Sequence, residues 1–520
     1  MITPNIEADR PGFFGLERSR PALSAIPETV RSRVTVPALP SALRERALDT
    51  ASALISDPAR HRRILPNKLR ADAQSFEDLL LQRTSLGPTV VDRETIAEIG
   101  AREYLERQLH PEEIDDGGLE DTLVAAFPTL NLSAWDILIN YKETPEVPVY
   151  ELWLATLYRS LFSPRQLYER MVIFWTDHFN VSLLSDLGIY LKPGDDRDVI
   201  RRHALGTFPE LLSASAHSGA MLSYLTNDTN VKDHPNENYA RELMELHTLG
   251  VDGGYTEDDV KEVARALTGW RFFPYQAGPQ FGDFFFNASQ HDNELKTVLG
   301  NDLPAGGGQA DGERVLEILV SHPSTASFVS RKMLAYLWGY QPSARAVERV
   351  ASVYRKTGGD IRSMLREILS WSSLATATQK LKRPYHLIVS AVRALFASVE
   401  EPFFLLEAAN RAGHLPFTWA PPNGFPDSDG YWSGYVLPRW NFSQIVLAPQ
   451  SGVAVDLPFL NPQMPPEEIR YVLDVLLLGG TMSVATSVAV ADYLTAAPQN
   501  QKTLAEAIGL VLGSPEFQHY

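Results

Sequence analysis

A mainly α-helical protein is predicted, a large multi-helix assembly with one small β-hairpin near 281–299 and long irregular segments. Three observations carry this prediction. Apolar residues recur at three- and four-residue spacing through most of the 520 residues. Capping residues stand at the ends of many of these stretches. Gly, Pro and aromatic residues crowd into two stretches only, Trp270–Gly300 and Leu415–Asn441.

In chain order, residues 1–37 are rich in Pro and Arg and lack periodicity, which reads as an extended arm. Helices are expected over Ser41–Ile55, Ala71–Arg83, Asp92–Gln108 and Val149–Leu161. Ser163, Pro164 and Gln166 read as the cap, first turn and capping box of the next helix, which runs through His178. Asp198–His203, Pro209–His217, Asn236–Leu249 and Asp258–Gly269 follow. Gly253 and Gly254 turn the chain between the last two, and Thr256 caps the second with Asp259 in the capping-box position. Phe281–Asn287 and Glu294–Leu299 read as the two strands of the hairpin. Helical spacing resumes at Gly312–His322, Ala326–Trp338, Ser343–Thr357, Ile361–Trp371, Tyr385–Val399 and Pro402–Ala412. It ends with Pro466–Leu477, Thr486–Ala496 and Lys502–Leu512. Boundaries are expected near residues 37, 90 and 300, with a further candidate near 400. The first three divide an arm (1–37), N-terminal helices (38–90), a central helical region (91–300) and a C-terminal helical region (301–520). No period of 20–50 residues repeats, so a solenoid is not expected.

The formal net charge of −17 disfavours a general nucleic-acid binder, whose affinity rests on Lys and Arg. Lys380–Arg383 is the local exception, read as a solvated helix end in preference to an anion contact. The absence of cysteine removes disulfides, thiolate catalysis and Cys-ligated metals. No apolar h-region follows Met1 and no apolar run is long enough to span a membrane, so a soluble, cytoplasmic placement is expected as written.

Asn236 to His247 holds the densest chemistry. At helical spacing Glu237, Asn238, Arg241, Glu242, Glu245 and Thr248 share an arc of roughly 140°. The plain reading is a salt-bridged ladder with Arg241 between Glu237 and Glu245. The sharper one joins Glu242 and Glu245 to His178 and His247 as an acid–base pair or as ligands for a divalent metal. The di-iron Glu-x-x-His spacing is missing, and the Asp252–Asp259 stretch fails as a calcium loop. His291, Asp292 and Lys296 form a second polar group, in which the carboxylate fixes an imidazole or serves the turn backbone. Arg265 and Trp270 join Asn236, Glu237, Asn238 and Arg241 as candidate structural or orienting residues. No nucleophile elbow, Walker loop or Rossmann fingerprint occurs.

These segments bear a family resemblance. RMVIFWTDHFNVS (170–182), PNENYARELMELHTLGVDGGYTEDDVKEVARALTGW (235–270), HDNELKTVLG (291–300), HPSTASFVSRKM (322–333), GGDIRSMLREIL (358–369), KRPYHLIVSAVRAL (382–395), PPNGFPD (421–427) and SPEFQ (514–518) resemble a bacterial family known as domain of unknown function 1800. The resemblance implies a helical fold. It also implies a sulfatase- or phosphatase-like partner protein, and frequent export, hence a periplasmic or secreted alternative. It supplies no catalytic residues. Three functions follow as expectations. The first is a His/carboxylate enzyme, metal-assisted, built from His178, Glu242, Glu245, His291, Asp292 and Lys296. The second is a non-catalytic scaffold locked by a buried ion-pair network around Arg241. The third is a carbohydrate- or peptide-binding surface along Trp270–Tyr275 and Tyr431–Trp440.

Overall fold

The computed structural model describes Val34, Glu45, residues 48–53 and residues 75–520. The expected arm (apart from Val34), much of the Ser41–Ile55 helix and residues 71–74 of the Ala71–Arg83 helix lie outside the described residues; the latter is observed over Phe76–Thr84. Helices dominate the rest, with longer irregular stretches at 413–428 and 455–465, and the mainly α expectation holds.

Two apolar cores organise the helices. One gathers Leu167, Met171 and Trp175 with residues from 199 to 374, including Phe208, Leu243, Val263 and Met333. The second surrounds the helix Glu146–Phe162, whose residues from Val147 to Leu161 are all buried. A helix apolar on every side must lie inside a bundle, and this one packs against Pro384–Ala394 and Pro402–Arg411. Helix Gln166–His178 follows it directly, so its far end, Asp177 and His178, is delivered to a region where several chain segments meet.

Local chemistry sets many ends as expected. Thr256 and Asp259 form the reciprocal capping box of Glu257–Ala266. The cap at Ser163 does not form. The helix begins at Gln166 after Arg165, because the Gln166 side chain is spent on the Leu86 N–H and the Ser160 and Ser163 carbonyls. Three stretches, Asp195–Arg201, Leu243–Thr248 and Asp474–Leu478, adopt π-helical turns. Widening the turn brings residues i and i+5 onto one face, which α spacing cannot anticipate.

The hairpin expectation is corrected. Phe281–Asn287 and Glu294–Leu299 do not pair with each other. Phe284–Phe286 pairs antiparallel with Trp270–Phe272, and Lys296–Val298 pairs with Asn301–Leu303. The second pair turns through Leu299 and Gly300, with φ of 49° and 74°. Two consecutive positive φ values match a two-residue type I′ turn, whose twist suits adjacent strands, so the nearer partner wins. A third short pair joins Ser398–Val399 to Val453–Ala454. Among the described residues no helix is long and apolar enough to cross a membrane.

Candidate functional site

The motif helix is short. Asn236 caps Glu237–Glu242 by accepting the Asn238 N–H at 3.0 Å. The Asn236 amide donates to Thr226 and Thr229, and the Asn238 amide donates to the Leu225 carbonyl at 3.0 Å. Together they hold the turn at Thr226, a non-glycine residue with φ of 59°. The side chains of both asparagines are therefore engaged in local turn contacts.

Arg241 is not buried. Its side chain keeps 32% exposure, pairs with Glu237 at 3.1 Å and Glu245 at 3.8 Å, and is held mainly by Glu257. Glu257 accepts these bonds from its place on the next helix, outside the i,i+4 ladder that spacing predicts. The expected buried network is thus a half-exposed surface ladder, because the residues that flank it belong to two amphipathic helices packed edge to edge.

Beyond Glu242 the π turn redirects the chain. Thr248, placed on the polar arc by α spacing, is buried, and its hydroxyl donates to the carbonyl of Leu243 five residues back at 2.7 Å. The same turn buries His247, whose ring nitrogens have no hydrogen-bond partner. Burial pushes its pKa down to about 3, so the ring is neutral. The His247 carbonyl accepts a hydrogen bond from His178 Nε2 at 3.0 Å. A carbonyl cannot donate, so Nε2 carries the proton and His178 Nδ1 presents an unpartnered lone pair. Burial, with Lys332 and His247 nearby, also drives the His178 pKa well down.

The sequence placed Glu242 and Glu245 with these histidines; the structure does not bring them together. Both glutamates remain half-buried on the outer side, where burial, with Glu245 beside it, raises the Glu242 carboxyl. Among the described residues no group of three or more His, Asp or Glu side chains can hold a metal ion. The donor set offered for a divalent metal does not fit one.

His291, Asp292 and Lys296 are consumed locally. His291 Nδ1 lies 2.8 Å from the Thr268 carbonyl, and its Nε2 lies 3.1 Å from Asp311 Oδ2. Lys296 Nζ donates to the same oxygen at 2.9 Å and to the carbonyls of Asp292 and Glu294. Asp292 turns away to Arg265, which also grips Glu262. Asp311 thus neutralises the buried lysine, while Asp292 pairs outward and accepts the Glu294 N–H. Trp270 is wholly buried against His217 and Phe284 and has no open face to bind a ligand. Trp432 is likewise core, although Trp440 is exposed.

A different cluster lies beside His178. Arg383 donates to Asp177 at 2.5 Å and to Asp427 at 3.3 Å. Lys380 donates to both Asp427 oxygens at 3.0 and 2.8 Å. Lys380, Lys382 and Arg383 are buried, which corrects the reading of this stretch as a solvated helix end. The segment runs into the interior because its backbone pairs with the chain near Gln518–Tyr520 before the Pro384 helix begins. Gly424, with φ of 70°, lets loop 421–427 lie against Asp177, where a Cβ would come within 2.1 Å of the Asp177 carbonyl oxygen. Lys332 completes the group from helix Pro323–Leu337.

The electrostatics are unequal. Burial raises the Asp177 carboxyl even against Arg383. Burial works against the Arg383 charge, yet Asp427 and Asp177 hold it above its ordinary value. Lys332 forms no ion pair among the described residues, and burial pushes its ammonium down to about 8 against the pull of Asp177. Three cations therefore face two carboxylates, and Lys332 is the one left over. Asp177 precedes His178 and Asp427 ends a Pro/Gly stretch, but only tertiary contact joins them to Lys332, 155 residues after Asp177 in the chain.

Segments 170–182, 235–270, 322–333, 382–395 and 421–427 all contribute to this locus. A family model described as "Protein of unknown function (DUF1800)" matches residues 79–519. The chain belongs to this family. No curated protein and no solved structure matches it. In this DUF1800 chain the long motif supplies the wall of the cluster through His247, while the charges come from shorter segments.

Proposed function

We propose that this DUF1800 protein is an acid–base enzyme for a small anionic substrate, with Lys332 as the proton-transfer group. The single observation behind this reading is the half-buried Lys332 amine, beside Asp177, without an ion pair among the described residues and pushed down to about 8. An amine poised near neutral pH both attracts an anion when protonated and accepts a proton when neutral. Arg383, fixed between Asp177 and Asp427, is a positioning residue that holds Asp177 beside the lysine. His178 Nδ1 is the second acceptor within the same neighbourhood. No metal takes part in this reading.

The test uses whole protein and a cell metabolite extract followed by mass spectrometry. Wild type is expected to deplete an anionic metabolite that Lys332→Met and Asp177→Asn leave untouched. Identical extract profiles for all three folded proteins would sink the reading. Independently, acylation of Lys332 should reach half its maximal rate near pH 8, not near the ordinary lysine value.

A scaffold is the second reading, favoured by the complete local satisfaction of Asn236, Asn238, Lys296 and Asp292. The family resemblance adds a sulfatase- or phosphatase-like partner, to be sought by co-purification with the full chain.

A further inference from the structure

A second polar site lies at the opposite end of helix Gln166–His178, apart from Lys332. The π turn Asp195–Arg201 places Asp196 and Arg201, five residues apart, on one face, with Arg201 Nε donating to Asp196 Oδ2 at 2.9 Å. Arg201 also grips Glu169 through two bonds of 3.1 Å. These residues line a cleft of about 310 Å³ together with Tyr168, Arg165 and Arg202. That volume matches the lower end of small-molecule sites.

Two groups in this cleft lack a protein partner among the described residues. Asp196 is only 2% exposed, yet its Oδ1 receives no hydrogen bond. A buried carboxylate oxygen without a donor is costly, so a donor belongs there. Arg202 lines the same cleft, is exposed, and forms no ion pair among the described residues. Its neighbours differ: Arg159 is held by Glu120, Arg165 by Asp116 and the Ile114 carbonyl, and Arg197 by Asp198. Arg202 suits an anion, Asp196 Oδ1 can accept from a hydroxyl, and Tyr168 lines the same cleft.

We propose that the cleft between the Asp195–Arg201 π turn and helix Gln166–His178 binds a small sugar phosphate. The phosphate pairs with Arg202, a sugar hydroxyl donates to Asp196 Oδ1, and the carbon face of the sugar lies along Tyr168. No covalent step is involved, and the site stands whether or not Lys332 is a proton-transfer group.

Isothermal titration of the full chain tests this with ribose 5-phosphate and glucose 6-phosphate as probes, and with glucose and inorganic phosphate as half-ligands. At least one sugar phosphate should bind with Kd below about 1 mM, and each half-ligand at least tenfold more weakly. Arg202→Ala, a surface change that leaves the fold intact, should weaken binding tenfold or more. Asp196→Asn should weaken it similarly, since it puts an amide donor where an acceptor is needed. Arg314→Ala, a surface arginine elsewhere, should bind as wild type does. Failure of both sugar phosphates overturns the proposal. So does phosphate binding as tightly as the sugar phosphate, or binding that survives both Arg202→Ala and Asp196→Asn.

Discussion

At the scale of single residues, Lys332 is held at a cost that a stability measurement will expose. Its ammonium is disfavoured by burial, so its folded pKa of about 8 lies below the ordinary 10.5. Between those two values the unfolded chain binds more protons, and stability contributed by this residue rises with pH. Below pH 8 the folded protein carries the full penalty. Lys332→Met should therefore stabilise the protein at pH 7, by about 1–2 kcal/mol once solvent screening of a half-buried group is allowed for. Thermal unfolding should show the gain at pH 7 and its loss near pH 11; a gain independent of pH would rule out a charge origin. Gly424 makes the companion case. Gly424→Ala needs both a strained φ and space already taken by the Asp177 carbonyl, so it should displace loop 421–427 and lower the melting temperature.

At the scale of elements, the motif segment is two devices in series. The α turn Glu237–Glu242 holds surface and turn contacts, and the π turn Leu243–Thr248 rolls His247 inward. Because the Arg241 ladder is half-exposed, Arg241→Ala should cost at most about 1 kcal/mol, read by chemical denaturation. A loss of several kcal/mol would restore the buried-network reading. The Lys296–Asp311–His291 lock behaves oppositely. Lys296 and His291 are essentially unexposed, so Asp311→Ala leaves an uncompensated buried cation. The expected cost is about 3–5 kcal/mol, and Lys296→Met combined with Asp311→Ala should recover much of it.

At the scale of the whole molecule, four deeply buried histidines, His178, His247, His386 and His414, all have pKa values pushed down, with burial the leading cause. Each stays neutral in the fold but protonates in the unfolded chain below about pH 6.5. Their stabilising contribution is complete above that value and is lost as pH falls, by up to about 1.4 kcal/mol per pH unit for each ring. Melting temperature should thus drop steeply between pH 6.5 and 5, and His247→Phe should flatten the drop. Several features of this molecule are legible without coordinates because they are short-range. Three- and four-residue periodicity sets the helices, and Thr256 and Asp259 make their capping box within four residues. The pairing of Phe281–Asn287 with Glu294–Leu299 does not form because each segment finds a different nearby strand. The half-exposed Arg241 ladder depended on Glu257, sixteen residues on and across a turn. Most of the candidate site was out of reach. His178 was visible as an inward histidine, but its neighbours Asp177, Lys332, Arg383 and Asp427 come from separate segments, and local periodicity carries no information about which segments meet. Sequence alone determined a mainly helical DUF1800 chain rich in polar motif residues. Tertiary structure decided which of those residues are spent on structure and which charges form no ion pair among the described residues, because desolvation and pairing depend on everything that surrounds a group in space.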